Sequence, residues 1–162
     1  MSRRGVFPGS FDPLTVAHLA VADAARTRHA LDEVHLVISH VALAKEDRRQ
    51  APVADRLTAI EAARADRPWL RAATTGAQLL ADIAEGFDVL VVGADKWWQL
   101  RDVRFYASEA AMRDALARLP DLAVAPRSDV PVPPGVDLLD VDPAHHPVSS
   151  TAVRAGRHDW RA

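Results

Sequence analysis

Short apolar runs alternate along this chain with longer stretches in which apolar residues recur every three to four positions. The runs predict buried strands over 5–7, 34–38, 70–73, 89–92, 122–125 and 137–141. The longer stretches predict helices over 16–30, 53–65, 76–85 and 108–119. Val53, Leu57 and Ile60 form one stripe, Leu79, Leu80 and Ile83 a second, and Met112, Leu116 and Leu119 a third. Pro52 suits the first turn of the second helix, because its missing N–H has no intrahelical partner to lose there. Strands alternating with helices argue for a parallel sheet covered on both faces, the doubly wound α/β class. The stretch from Ser128 to Gly135 carries Pro131, Pro133 and Pro134 and reads as a surface connection.

In such a sheet, ligands bind beyond the carboxyl ends of the strands. The chemically notable segments all fall at that end: the Phe11 to His18 loop after the first strand, Lys45 after the second, Gly93-Ala94-Asp95 after the 89–92 run, and Ser149 to Arg154 near the end of the chain. His18 lies in the first turn of the first helix, beside unpaired backbone N–H groups and the positive end of the helix dipole. That is a setting for an anion. The plainer reading of the same residues is a helix capped by Thr15 with a packed histidine.

Composition narrows the picture. At 162 residues and 17.6 kDa the chain is expected to form one domain, residues 1–162, with a sizeable core. Hydrophobic and charged fractions of 49% and 26% are those of a soluble globular protein. A net charge of −2 argues against bulk nucleic-acid binding, which leaves a basic footprint. With no cysteine, disulfides, thiol catalysis and thiolate zinc sites are excluded. Ser2-Arg3-Arg4 lead directly into a strand and no apolar stretch is long enough to span a bilayer, so the chain is expected in the cytoplasm, away from membranes. His29, His35, His40, His145 and His146 lack ligand spacing, and no protein-bound metal site is expected.

The string Gly9-Ser10-Phe11-Asp12-Pro13-Leu14-Thr15-Val16-Ala17-His18 resembles the N-terminal signature of the nucleotidyltransferase superfamily, the cytidylyltransferase-like enzymes. Ala17 stands where that signature has glycine. A second motif of the superfamily is matched by Val148-Ser149-Ser150-Thr151-Ala152-Val153-Arg154, and two motifs in the right order are far more specific than one. The resemblance implies a Rossmann-like fold and transfer of a nucleoside monophosphate from a triphosphate to a phosphate monoester. Such chemistry needs positioning and electrostatics rather than a side-chain nucleophile, with Mg2+ carried by the ATP phosphates. It further implies that His18 and Thr15 meet the α-phosphate. Gly9, Ser10 and Phe11 would cradle the nucleotide through backbone groups, Lys45 would meet a substrate phosphate, and Ser149, Ser150, Thr151 and Arg154 would grip the outer phosphates. Arg56 matches a helix position of the same superfamily and reads equally as an exposed surface arginine; it is not assigned to the site.

Gly93-Ala94-Asp95 resembles the G-x-D element of the mononucleotide adenylyltransferases of NAD synthesis, which implies that Gly93 and Asp95 line the nucleotide site. The aromatic that those enzymes stack on the pyridine ring falls at Val103 here. Trp97 and Trp98 read either as its replacement or as a strand-end plug into the core, with Phe105 and Tyr106 as further aromatic candidates. Lys45, Thr75, Trp97 and Trp98 make up the expected acceptor site, and the expected partners are ATP and a small phosphorylated acceptor. Two alternatives stand beside this reading. Pro8-Gly9-Ser10 and Thr15 also resemble phosphopantetheine adenylyltransferases, while Ala17 and Val103 fit a relative that binds nucleotide without turnover. Exposed tryptophans at 97, 98 and 160 would be compatible with self-association into a homo-oligomer.

Overall fold

Along the central strands, alternate residues fall into two separate hydrophobic clusters, as the two-residue period of a strand demands when both faces are covered. Val89 and Val91 pack into one cluster, Leu90 and Val92 into the other. Phe7 and Val6 divide in the same way, as do Ala123 with Ala125 against Val124. The computed structural model describes residues 2–39, 51–148, 153 and 156–162. Its elements are β1 (Arg4–Gly9), α1 (Val16–His29), β2 (Glu33–Ser39), α2 (Val53–Ala63), β3 (Leu70–Thr75), α3 (Leu80–Ile83), β4 (Val89–Gly93), α4 (Ala94–Leu100), α5 (Glu109–Arg118) and β5 (Asp121–Ala125). Short 3-10 turns lie at Val103–Phe105, Pro143–His145 and His158–Trp160.

The five strands are parallel in the order β3-β2-β1-β4-β5. From β1 the chain steps outward to β2 and β3, then crosses back to the other side of β1 for β4 and β5. The reversal puts a topological switch point between β1 and β4, where a crevice opens at the carboxyl ends. Gly9 and Gly93 end those two strands. The first cluster joins α1 and α2 to the sheet through Leu19, Ala22, Ala25 and Ile60, and the second joins α3 and α4 through Ile83, Ala94 and Trp97. Ile38, Ile60 and Leu70 have no exposed surface; truncating any of them to alanine would cost about 2–5 kcal/mol.

The doubly wound α/β architecture is as expected, with three local differences. The predicted strand 137–141 is reduced to one parallel bridge, Leu138 to Val124, with Leu139 N–H donating to the Val124 carbonyl at 2.8 Å. Leu139 and Val141 still turn into the core, so the alternation reported burial correctly but not a ladder. The helix predicted over 76–85 contains only Leu80–Ile83. Ala77 is held outside it, its N–H by the Thr75 hydroxyl at 3.1 Å and its carbonyl by the Ser39 hydroxyl at 2.9 Å. Finally, α4 was not foreseen. Its buried residues Ala94, Trp97 and Leu100 recur every third position over too few residues for a periodic pattern to emerge.

Candidate active site

The loop between β1 and α1 is shaped by what Gly9 lacks. A Cβ there would stand 3.0 Å from Cζ of the Phe11 ring, so any side chain at Gly9 would press on the ring that lies across the strand end. Phe11 itself is buried and adopts φ 47, a left-handed conformation seldom taken by residues with a side chain. Its ring meets Phe7 edge-on at 5.4 Å and the His18 imidazole at 4.9 Å.

Thr15 caps α1, and its hydroxyl accepts from the His18 N–H at 3.3 Å. Reciprocally, the Thr15 N–H donates to His18 Nδ1 at 2.9 Å. This is a capping box in which histidine takes the place usually held by Glu or Gln. A backbone N–H can only donate, so Nδ1 must be the acceptor and the imidazole proton sits on Nε2. The half-buried ring is thus fixed in tautomer by the helix start and in direction by two phenylalanines. The capping reading of Thr15-x-x-His18 holds, and the cap puts the ring proton on Nε2.

Arg56 was the residue that sequence reasoning placed outside the site. It is buried on α2, donating from Nη1 to the Ser10 carbonyl and from Nε to the Ala51 carbonyl, each at 2.9 Å. Its position one turn before buried Ile60 was the available signal, because the two share a helix face. Asp12, also buried, accepts from the Ala51 N–H at 3.4 Å.

On the neighbouring strand, Gly93 is the N-cap of α4 and Asp95 lies in its first turn. A Cβ on Gly93 would meet Asp95 Oδ1 at 2.6 Å and Arg127 Cδ at 3.6 Å. The carboxylate folds back over the strand end, and an exposed arginine from the end of β5 stands beside it. β1 and β4 are neighbours, paired at Gly5–Val89 and Val6–Leu90, so Gly9 ends one strand, with Ser10, Phe11, Thr15 and His18 after it, while Gly93 ends the next, with Asp95 after it, at the same end of the sheet. Thr75 ends β3, at the far edge beyond β2. Lys45, Ser149, Ser150, Thr151 and Arg154 lie outside the described residues; among their neighbours, Val148 and Val153 are buried.

The tryptophan pair divides. Trp97 is 5% exposed, packed into the core from α4 with the Arg101 guanidinium 3.8 Å above its ring. Trp98 is 40% exposed and donates from Nε1 to the Pro131 carbonyl at 3.0 Å. This corrects the expectation of an exposed Trp97 available for self-association: the plug reading describes it, on a helix rather than a strand end. Beside α4, Leu79, Leu80, Gln99, Leu100, Phe105 and Tyr106 line a shallow cleft, and the Tyr106 hydroxyl donates to the Leu100 carbonyl at 2.8 Å.

Comparison with known proteins bears on the family and the fold. The sequence profile described as "Cytidylyltransferase-like" matches residues 6–156. A Bordetella parapertussis protein named "Probable nicotinate-nucleotide adenylyltransferase" is 31% identical over 152 residues, covering 90% of this chain and 75% of the relative. A Dehalococcoides mccartyi protein of the same name is 35% identical over 69 residues, 43% of this chain, and the match spans only 34% of that relative's length. Among solved structures, a Plasmodium falciparum nicotinic acid mononucleotide adenylyltransferase complexed with APC superposes with a TM-score of 0.66 at 12% identity. It covers 96% of this chain and 83% of that one, and at that identity the likeness concerns the fold.

Proposed function

Because this chain belongs to the cytidylyltransferase-like family, we propose that it is an adenylyltransferase that moves AMP from ATP to the phosphate of nicotinate mononucleotide, or of its amide, and releases pyrophosphate. An acceptor phosphate oxygen attacks the α-phosphorus, the bond from that phosphorus to the pyrophosphate oxygen breaks, and no covalent enzyme intermediate is needed. Charge builds on the non-bridging α-phosphate oxygens, and the reaction is fast only if donors already point there. The observation that carries this reading is the His18 imidazole, locked by the Thr15 N–H so that Nε2–H is its donating edge. Mg2+ carried by ATP would neutralise phosphate charge when bound; no residue of this chain is assigned to hold it.

In this reading Gly9, Ser10 and Phe11 supply backbone donors, and Gly93 and Asp95 hold the nucleotide on the other side of the switch point. Ser149, Ser150, Thr151 and Arg154 grip the β- and γ-phosphates, while Lys45 neutralises a substrate phosphate. For the acceptor's flat ring, the aromatic side chains that follow β4, Trp98, Phe105 and Tyr106, offer ring surface that Val103 does not. The names of the relatives matched over 90% of this chain and 75% of their own length support nicotinate mononucleotide over phosphopantetheine. Pyrophosphate release is measured with ATP and each of nicotinate mononucleotide, nicotinamide mononucleotide and phosphopantetheine. The expected result is turnover with a pyridine mononucleotide; turnover with phosphopantetheine alone reassigns the acceptor, and ATP binding without pyrophosphate from any acceptor refutes the enzymatic reading.

A further inference from the structure

We infer that Arg56 is a positioning residue that aims the backbone of the β1–α1 loop at the bound phosphates, acting through the Ser10 carbonyl. The inference rests on the adenylyl-transfer reading for its catalytic consequence, while its structural part stands on Arg56 itself. A buried guanidinium is ordinarily paired with a carboxylate, because an unpaired charge in the interior is costly. Arg56 is 7% exposed, yet among the described residues it forms no salt bridge with a carboxylate, and its guanidinium donates to two main-chain carbonyls, of Ser10 and Ala51. Those acceptors lie on separate stretches of chain, so the planar fork of donors ties the loop to the residue just before α2. Asp12 grips the N–H of that same Ala51, which gives the tie a second strand.

The consequence follows from the geometry of a trans peptide. The Ser10 carbonyl and the Phe11 N–H belong to one plane and point in opposite directions. Pinning the carbonyl to Arg56 therefore turns the Phe11 N–H away from α2. Among the described residues that N–H donates to no protein group, although Phe11 is 1% exposed. The ring on the same residue contacts the His18 imidazole. An otherwise disfavoured φ of 47 is thus held from both ends, by the buried ring and by the anchored carbonyl. The positive charge of Arg56 stands behind the loop, on its Ser10 carbonyl, and adds to the attraction for a polyanion.

Inorganic tripolyphosphate is the probe, so that the test does not depend on turnover. In the wild-type chain, titration should shift the Phe11 amide resonance; a Phe11 amide that stays put while the probe binds would overturn the inference. Arg56→Lys keeps the charge but loses the fork, and Arg56→Gln keeps one donor without charge. Each should bind tripolyphosphate about tenfold more weakly by calorimetry, the loss expected for one charge-assisted hydrogen bond. Arg56→Lys should also lower kcat more than it raises the KM of the acceptor. Variants that melt earlier but keep wild-type affinity would make Arg56 a structural residue only. If the amide shifts and affinity falls as stated while the wild type releases no pyrophosphate with any acceptor, the adenylyl-transfer reading fails and the positioning role stands.

Discussion

His18 carries two functions on one side chain, and they can be separated. Its Nδ1 closes the capping box of α1, and its other nitrogen is the proposed donor to the α-phosphate. His18→Ala should lower kcat by about 10²- to 10³-fold, the usual loss for one transition-state donor. It should also reduce stability by about 0.5–1 kcal/mol through loss of the cap. His18→Gln restores an acceptor for the Thr15 N–H, so its urea midpoint should return toward wild type while its kcat stays low. Steady-state rates near wild type in either variant would remove His18 from the chemistry. Residue types at this scale were legible without coordinates, since Thr15-x-x-His18 announces both a cap and a donor. Arg56 was only half legible: sharing a helix face with Ile60 hints at burial, but nothing local says which distant carbonyls its guanidinium will meet.

Elements were legible where their period ran long enough, as in α1, α2 and α5, and at every strand of the sheet. Short pieces were not: α4 and the truncated α3 depend on single hydrogen bonds and on which neighbour covers them. The end of α1 shows how local strain can remain in a correct element. Its C-cap, Ala30, adopts φ 51 and ψ 51, with its N–H donating to the Arg26 carbonyl. Glycine is the usual residue in that conformation because it has no Cβ to clash. Ala30→Gly should raise the unfolding free energy by about 0.5 kcal/mol, the left-handed penalty relieved less the added freedom of the unfolded chain. Urea denaturation checks this, and an unchanged or lowered midpoint would mean that the penalty at Ala30 is already relieved by its surroundings.

Across the whole molecule, pH should act on stability through histidines that burial makes harder to protonate. Burial pushes the His35 imidazole below its ordinary value of 6.5, outweighing the hydrogen bond to Glu33 that raises it. His29 is lowered as well, first by burial and then by Arg28. The unfolded chain therefore takes up protons that the folded chain resists, so the contribution is complete above 6.5 and is lost as pH falls through the folded-state values. The urea midpoint should fall from about pH 7.5 to about pH 5.5, and His35→Phe, which keeps a ring against Phe87, should make that fall shallower. A decline as steep in the variant as in the wild type would place the titration elsewhere. At this scale, the order of apolar runs and helical periods already determined a parallel sheet covered on both faces, because burial of both strand faces is written in the residues themselves. The N-terminal signature likewise determined the class of chemistry, since its cap, glycine and histidine act over a few neighbouring positions. Only the tertiary structure decided that Gly93 ends the strand next to β1, that Trp97 is core while Trp98 is surface, and that Arg56 stands behind the β1–α1 loop. Each depends on contacts between segments far apart in the chain, and no local pattern of residues encodes which distant surface will cover a given side chain.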